Sequence, residues 1–393
     1  MVVDLYYSQL TVWGVPMKLS CLQENLNRGL ALVSRAVATR TTLPITQNVL
    51  IETDKSMLKL SATNLELAVT TWVGAQIEQE GSVTIPARLL TDFVGSLPND
   101  KIELEQTSRP AGIHFKCARF EAQINGTESS EFPPIPSVED GVAALIDPQI
   151  LRTAISRVAL AAATEETRPV LTGIKLEISG QQFTMAGADG FRLAVYKGPL
   201  IEPIEEDIEA IVPAKTLSEV QRLLGDQEEP AKLMVTPSRS QIMIHLNNIE
   251  VVSQLIQGTF PNYSQLIPQD YTSRAVVDLQ EFTRATRAAS IFARDGGGII
   301  RLHIAPGSDS SPGKISVASR AEESGDNHGD IDASVEGEES KIAFSARYLT
   351  EVLGVLGRGE IALETTTASS PGVLKPIGSE DYVHVVMPMF VQW

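Results

Sequence analysis

Three stretches of the sequence read almost alike: Pro86-Ala-Arg-Leu-Leu-Thr-Asp-Phe through Leu97, Pro213-Ala-Lys-Thr-Leu-Ser-Glu-Val through Leu224, and Ser345-Ala-Arg-Tyr-Leu-Thr-Glu-Val through Leu356. Each opens with Pro or Ser and then carries apolar residues three and four apart, which predicts a helix with a defined start. The starts lie 127 and 132 residues apart. A repeat of this length indicates a duplicated domain rather than one turn of a solenoid.

Other segments repeat on nearly the same period. Ala62–Val69 matches Ala188–Val195 at an offset of 126, and Glu131–Pro136 resembles Thr259–Tyr263 at an offset of 128. Each unit also opens with an amphipathic helix, over 22–37, 148–160 and 279–293. Short alternating runs between the helices predict strands, for example at 59–62, 175–178, 241–246 and 382–386. The sequence therefore predicts an α+β fold of three domains, 17–142, 143–272 and 273–393, behind an N-terminal extension, 1–16.

Bulk composition narrows the class of protein. The 393 residues carry a formal charge of -17, which argues against a protein that grips DNA over its whole surface. Cys21 and Cys117 are the two cysteines, too few for a disulfide framework, and they fit a reducing cytoplasm. Residues 1–16 lack the features of a signal peptide, and Met17 is the favoured start. No stretch has the roughly 20 apolar residues of a membrane-spanning helix.

The helices are basic within this acidic chain. Six segments, 23–40, 86–97, 148–158, 213–224, 279–294 and 345–358, hold 13 Lys and Arg against 5 Asp and Glu. Solvated helix faces are the simpler explanation for any one of them. A basic excess over all six favours a shared positive surface, and if the helices line a channel, that surface contacts phosphates without reading bases.

Motifs of catalysis are missing from the sequence. It has no Walker motif, no GxSxG elbow, no HExxH and no zinc-like cysteine spacing. We therefore expect a non-catalytic protein with no metal or other cofactor.

The chain resembles the bacterial DNA polymerase III β subunit, the β sliding clamp, over essentially all of 17–389. The resemblance rests on Thr42–Ile45, Val83–Arg88, Ala188–Val195, Gly258–Tyr263 and Val385–Met389, in this order and spacing. It implies three clamp domains per chain, with antiparallel sheets outside and paired helices inside. It also implies a ring-shaped, head-to-tail homodimer that encircles duplex DNA without sequence preference.

The resemblance further implies a hydrophobic cleft for short peptides of partner proteins. Those partners would be the replicative polymerase α subunit, the clamp loader, and other polymerases and repair proteins, with no membrane partner. The expected cleft residues are Leu171, Gly190, Phe191, Arg192, Leu193, Pro261, Leu266, Tyr348, Val385, Val386, Met387, Pro388 and Met389. Arg192 is expected to orient the peptide. Phe191, Gln265, Ala188 and the tail Phe390–Trp393 depart from the family pattern, so the preferred peptide stays open.

Two further residue sets follow from the resemblance. Phe120 and Ala122 of one chain are expected to meet Ile291 and Phe292 of the other. The residues expected to face DNA are Arg28, Arg35, Arg40, Arg88, Arg152, Arg157, Lys215, Arg222, Arg284 and Arg287, with Glu165 an acidic departure at the position that matches Arg40. Residues 305–332 are long and polar and are expected to form a mobile surface loop.

Three hypotheses follow for the function. The first is a processivity clamp, and the second is a peptide-binding scaffold of the same fold that does not encircle DNA. The third is an enzyme built on a triplicated domain. The basic helices argue against the scaffold, and the missing catalytic cluster argues against the enzyme.

Overall fold

The computed structural model describes residues 16–136, 141–308 and 311–393. Residues 1–15, most of the expected N-terminal extension, lie outside the described residues. The six predicted helical segments all contain helices. These are α1 Gln23–Val33, α2 Ala87–Ser96, α3 Pro148–Val158, α4 Ala214–Leu223, α5 Leu279–Ala293 and α6 Ala346–Val355.

Local chemistry explains two of the helix starts. The Asp147 carboxylate accepts hydrogen bonds from the backbone N–H groups of Gln149 and Ile150, at 2.9 and 3.0 Å. Asp278 caps α5 in the same way, through Gln280 and Glu281, both at 2.9 Å. Such caps satisfy backbone donors that have no partner inside the helix.

Twenty-four strands accompany these helices within the described residues. They are β1 Lys18–Leu22, β2 Asn48–Asp54, β3 Met57–Thr63, β4 Leu67–Gln79, β5 Ser82–Pro86, β6 Lys101–Ser108, β7 Ala111–Cys117, β8 Phe120–Asn125, β9 Val142–Ile146, β10 Gly173–Ser179, β11 Gln182–Ala188, β12 Arg192–Pro199, β13 Ile208–Pro213, β14 Ala231–Val235, β15 Gln241–Leu246, β16 Ile249–Gln254, β17 Ser273–Asp278, β18 Ile299–Ala305, β19 Gly313–Ala321, β20 Gly325–Gly337, β21 Ser340–Ser345, β22 Glu360–Thr365, β23 Gly372–Pro376 and β24 Tyr382–Val386.

The element order repeats three times. Each repeat runs strand, helix, four strands, helix and three strands, beginning at β1, β9 and β17. The two helices of each repeat pack against each other. The predicted α+β fold with three similar repeats is thus confirmed.

The described chain divides into two compact units. The first comprises 16–136 and 243–253, and the second comprises 141–242, 254–308 and 311–393. In the first unit, β8, β7, β6, β1 and β4 lie in that order, and β4 also pairs with β3 and β16. The second unit holds a sheet in the order β13-β10-β11-β12-β24-β23-β22-β17-β20-β19-β18-β21.

The core lies between helices and sheets. Large side chains with almost no exposed surface include Phe115 in the first unit, and Phe183, Phe282 and Phe344 in the second. Gly29 of α1 shows how closely the layers approach. A Cβ there would lie 2.6 Å from Val73 Cγ2 and 2.9 Å from Leu60 Cδ1, both on strands.

The prediction of a mobile loop over 305–332 is wrong. Most of this segment forms β19 and β20, which pair in register from Gly313 opposite Ala333 to Ala321 opposite Gly325. The polar composition misled the prediction because one face of the hairpin is exposed, whereas Ile315, Val317 and Ile331 point into the core.

The repeat at Ala62–Val69 is shifted by one residue from its sequence match. The structure places Asn64 where Asp189 stands, because each side chain accepts hydrogen bonds from the backbone N–H groups two and three residues later. Leu65 and Gly190, the next residues, both have positive φ, at 78° and 94°. The two turns are therefore equivalent at an offset of 125 rather than 126.

Candidate functional site: an apolar cleft and a set of basic helices

The turn between β11 and β12 opens the candidate cleft. Asp189 Oδ1 accepts hydrogen bonds from the N–H of Phe191 at 2.8 Å and of Arg192 at 3.0 Å. Gly190 has φ +94°, a conformation that glycine adopts without steric cost. The turn leaves the Phe191 ring 59% exposed, an unusual position for a large apolar side chain.

Arg192 points inward from the same turn. Its side chain is 3% exposed and donates to Asp189 Oδ2 at 3.0 Å and to Glu351 Oε2 at 2.5 Å. The guanidinium lies 4.3 Å from the centroid of the Tyr348 ring. Arg192 is thus committed to side chains of the protein itself, so we assign it the positioning of Tyr348 rather than direct contact with a peptide.

Glu351 completes this network from α6. Its burial favours the neutral acid, but hydrogen bonds from Arg347 and Arg192 outweigh the burial and lower the pKa of Glu351. Burial raises the pKa of the Tyr348 hydroxyl, and the Asp189 carboxylate adds to that effect. Glu351 is therefore a carboxylate and Tyr348 a neutral phenol at physiological pH.

The floor of the cleft is apolar. Leu171, Leu193 and Val385, which the resemblance placed in the cleft, belong to one buried apolar cluster. Sequence reasoning did not place Phe260 or Val373 in the site, although Phe260 lies inside the quoted Gly258–Tyr263 motif. The remaining members of the cluster are Ala186, Ala188, Val195 and Ile211.

The rim carries exposed apolar groups. Leu266 is 53% exposed, Met387 is 43% exposed and Met389 is 37% exposed, and Pro261 is exposed as well. Val386 and Pro388 alternate with the two methionines and are buried. Flexible, polarizable methionines on a rim suit a surface that accepts several peptides.

Two backbone hydrogen bonds hold the C-terminal segment against other parts of the chain. The Met387 N–H donates to Phe191 O at 2.8 Å, and the Met389 N–H donates to Ala343 O at 2.7 Å. Beyond Met389 the side chains turn outward, with Phe390 88% exposed and Trp393 53% exposed. The tail thus adds aromatic surface next to the cleft.

Most of the residues expected to face DNA are exposed on or beside the helices. Arg284 and Arg287 of α5 have no ion-pair partner among the described residues, whereas Arg28 pairs with Glu24 at 2.8 Å and Arg222 pairs with Glu219 at 2.7 Å. Arg35, Arg40, Arg88 and Lys215 are exposed, and Arg152 is partly buried.

Arg157 differs from the rest of this set. Its side chain is 15% exposed and lies 3.5 Å from Asp381 Oδ1. The guanidinium also lies over the rings of Tyr196 and Tyr382, at 5.7 and 5.4 Å from their centroids. Arg157 braces β12 and β24 against α3, so we remove it from the DNA-facing set.

Two of the four residues expected at a dimer contact, Phe120 and Ile291, are unusually exposed. Phe120 is 55% exposed on β8, which pairs with β7 as its only strand partner among the described residues. Ile291 is 61% exposed near the end of α5. Ala122 and Phe292 are partly buried.

Within the described ranges, no group of three or more His, Cys, Asp or Glu side chains is arranged to hold a metal ion. No helix in those ranges is both long and apolar enough to cross a membrane.

Three family models cover the chain in order. They describe the DNA polymerase III beta subunit: its N-terminal domain matches residues 17–136, its central domain 145–262 and its C-terminal domain 264–390.

Curated relatives and solved structures agree with these matches. The Beta sliding clamp of Synechococcus elongatus is 31% identical over 378 residues, covering 95% of this chain and 99% of the relative. The Beta sliding clamp of Bacillus subtilis is 28% identical over 389 residues, with the same coverage. The crystal structure of the Bacillus subtilis DNA polymerase sliding clamp superposes with a TM-score of 0.90 at 27% identity, over 96% of this chain and 100% of that one. The DNA polymerase III subunit beta of Pseudomonas aeruginosa gives 0.86 at 26% identity, over 95% and 100%.

Proposed function

The chain belongs to the DNA polymerase III beta subunit family, the bacterial DNA sliding clamps, and we propose that two copies close head to tail around duplex DNA. It is a non-catalytic processivity factor for a DNA polymerase. The observation that carries this function is the match of three tandem clamp domains to nearly the whole chain.

The basic helices support the proposed grip on DNA. Nine side chains form the proposed DNA-facing set: Arg28, Arg35, Arg40, Arg88, Arg152, Lys215, Arg222, Arg284 and Arg287. Contacts from such a set go to phosphates, so they carry no sequence preference and weaken as salt is raised. The rest of the chain is strongly acidic, and its negative charge would keep DNA from binding outside the proposed channel.

The apolar cleft is the proposed docking site for partner peptides. A peptide without a fold of its own binds by burying one or two large apolar side chains, each contributing roughly 1.5–3 kcal/mol. The buried floor of Leu171, Leu193 and Val385 and the exposed rim of Leu266 and Met387 suit that mode. The proposed partners are the polymerase α subunit, the clamp loader, and other polymerases and repair proteins.

Two features support the proposed dimer. Phe120 and Ala122 lie on a strand with an open edge, and such edges are normally covered. Ile291 and Phe292 lie on α5, which packs on β19 and β20 of the third repeat. We place the three domains at 17–142, 143–272 and 273–393, as the sequence repeats suggest.

Retention on circular DNA tests the function. The protein is loaded onto nicked circular DNA with a clamp loader and ATP, and the circle is then linearised. We expect the protein to stay on the circle at moderate salt and to slide off the linear form. Retention that is indifferent to DNA ends, or a protein that never loads, would overturn encirclement and favour the peptide-binding scaffold.

A further inference from the structure

A second cavity lies beside the floor of the cleft, in the same compact unit of the chain. Its volume is about 420 Å³, and its wall includes Lys175 and Glu177 of β10 and Phe260, Asn262 and Tyr263 from the segment after β16. We call this cavity the side pocket. Phe260 is also a member of the buried cluster that forms the cleft floor, and Tyr263 packs against that cluster. The side pocket and the cleft therefore share a wall.

Strand register places charged groups on the same sheet face as the cleft floor. Lys175 lies opposite Ala186 on one neighbouring strand and opposite Ile211 on the other, and both are members of the apolar cluster. Because side chains two residues apart on a strand share a face, Glu177 points to this face as well. Glu209 of β13 lies directly opposite Glu177. The two carboxylates thus lie one pleat, about 7 Å, beyond the apolar floor.

Two carboxylates face each other here, which is an unfavourable arrangement in a strand pair. Like charges directly opposite one another destabilise the pairing of two strands. Lys175 offsets part of this cost, because its Nζ lies 3.0 Å from Glu177 Oε1 and 3.2 Å from Glu209 Oε1. One ammonium group and two carboxylates leave one formal negative charge. A second cation would complete the balance, and a local conflict of this kind is typical of a functional site.

The two carboxylates differ in how they are held. The Tyr263 hydroxyl donates to Glu177 Oε2 at 2.5 Å, and Lys175 contacts the other oxygen of the same carboxylate. Burial raises the pKa of the Tyr263 hydroxyl, and the Glu177 carboxylate adds to that effect, so the hydroxyl remains a donor. The Glu209 side chain is 62% exposed and has Lys175 as its only ion-pair partner among the described residues. Glu177 is therefore a fixed group of the wall, and Glu209 is the carboxylate that is open to a ligand.

We propose that the side pocket binds a lysine or arginine side chain of the partner peptide whose apolar side chains occupy the cleft. The proposal rests on the proposed peptide-binding role of the cleft and specifies which peptides the cleft prefers. The apolar stem of the basic side chain would pack along the pocket wall, and its charge would pair with Glu209.

Other classes of ligand fit this pocket less well. An anion would meet the surplus negative charge of Glu177 and Glu209. A divalent metal ion binds through several ligands, and in the described parts of the chain no group of three or more His, Cys, Asp or Glu side chains is suited to a metal. A single organic cation needs one open carboxylate, which Glu209 supplies. The long stem of lysine or arginine also spans the one pleat that separates Glu209 from the cleft floor.

Paired peptides test the proposal on the full-length protein. The parent is a fluorescent peptide from the polymerase α subunit, and each pair carries either lysine or glutamine at one position before or after its apolar side chains. Fluorescence anisotropy gives the ratio of the two dissociation constants for each pair. We expect at least one position at which lysine binds about fivefold more tightly than glutamine at low salt, which is the scale of a partly exposed ion pair.

Two charge-neutralising variants locate the effect. Glu209→Gln removes the open carboxylate and keeps the size of the side chain, so it should bring the ratio close to one. Glu206→Gln is the matched control, because Glu206 is an exposed carboxylate three residues earlier that does not line the pocket, and the ratio should stay near its original value. A ratio that persists in Glu209→Gln, or that falls equally in both variants, would overturn the proposal.

The glutamine peptides separate this proposal from the function on which it rests. If they bind and no lysine position gives an advantage, the side pocket is refuted and the cleft remains the docking site. If neither peptide of any pair binds, the cleft is not a peptide site, and the proposed docking function fails together with the side pocket.

Discussion

At the scale of single residues, the proposed cleft depends on buried side chains that contact one another. Arg192 is buried between two carboxylates and stacked on Tyr348. Removing one member of a buried ion cluster leaves its partners desolvated and unpaired, which costs more than the interaction itself contributes. The position of Tyr348 therefore depends on the buried Arg192 and its two carboxylate partners.

Arg192→Met should weaken the binding of a fluorescent peptide from the polymerase α subunit by more than tenfold, because Tyr348 loses its support. The thermal unfolding midpoint should fall as well, since Asp189 is left without its partner. Arg347→Met is the matched control, because Arg347 contacts the same Glu351 from an exposed position and such pairs contribute about 0–1 kcal/mol. Fluorescence anisotropy measures the affinity, and equal losses in the two variants would contradict the positioning role.

His384 gives a pH dependence with a defined sign. The side chain is fully buried, and burial lowers the pKa of the His384 imidazole from 6.5 to about 3. Between these values the unfolded chain takes up a proton and the folded chain does not, so stability falls as pH drops below about 6.5. The loss amounts to roughly 1.4 kcal/mol per pH unit.

His384→Asn should therefore lose less stability than the unmodified protein when the pH falls from 7 to 5. The Tyr382 hydroxyl donates to Arg157 O at 3.1 Å and lies 3.0 Å from His384 Nδ1, and the side-chain amide of an asparagine can keep a hydrogen bond to that hydroxyl. Urea denaturation at both pH values measures the difference. An identical drop in the two proteins would show that His384 does not titrate in this window.

At the scale of elements, the C-terminal segment has two parts: residues 387–389 are held by backbone hydrogen bonds, and residues 390–393 carry exposed side chains. Met387 and Met389 are each held by a backbone hydrogen bond, whereas Phe390 and Trp393 project outward. The anchored part belongs to the cleft wall, and the remaining residues add surface without fixing the wall.

Removing residues 390–393 should accordingly change the affinity for the polymerase peptide by less than threefold. Removing residues 387–393 should abolish measurable binding, because the wall and its two hydrogen bonds are lost. Titration calorimetry on both truncations decides the matter. A large gain in affinity from the shorter truncation would instead show that the tail occupies the cleft.

The secondary-structure elements also show which features could be predicted from the sequence and which could not. Helix positions followed from apolar spacing, whereas the cleft residues Leu171, Leu193 and Val385 came only from the family resemblance, and their role in binding stays a prediction. The β19–β20 hairpin was missed because its exposed face is polar, so its composition is that of a loop. The one-residue shift at Asn64 was missed because identical letters aligned better than the turn geometry that pairs Asn64 with Asp189. Arg157 looked like its exposed neighbours, since burial by Tyr196 and Tyr382 depends on strands more than 30 residues away.

At the scale of the whole molecule, the basic residues are concentrated in the helical segments and the acidic residues in the rest of the chain. The helical segments carry a basic excess within a chain of net charge -17. A clamp needs a weak hold that allows sliding, and phosphate contacts from scattered arginines give one that depends on salt.

Arg284→Ala with Arg287→Ala should shorten the lifetime of the loaded protein on circular DNA and reduce its dependence on salt. Each phosphate contact that is removed lowers the slope of log affinity against log salt by about 0.9. Arg239→Ala is the control, because Arg239 is an exposed arginine in the β14–β15 turn. Equal lifetimes for all three proteins would remove α5 from the DNA-facing set.

Strands of successive repeats pair at two places, β4 with β16 and β12 with β24, and this pairing bears on how such a protein is assembled from its repeats. Strand pairing and side-chain packing hold β12 against β24, and the peptide bonds that run between their repeats are not part of that contact. A chain cut between residues 267 and 272 would leave two fragments that can still meet through the pairing of β12 with β24. The unit of assembly is then the single repeat, and the number of repeats in one chain only decides how many of these contacts lie within a subunit.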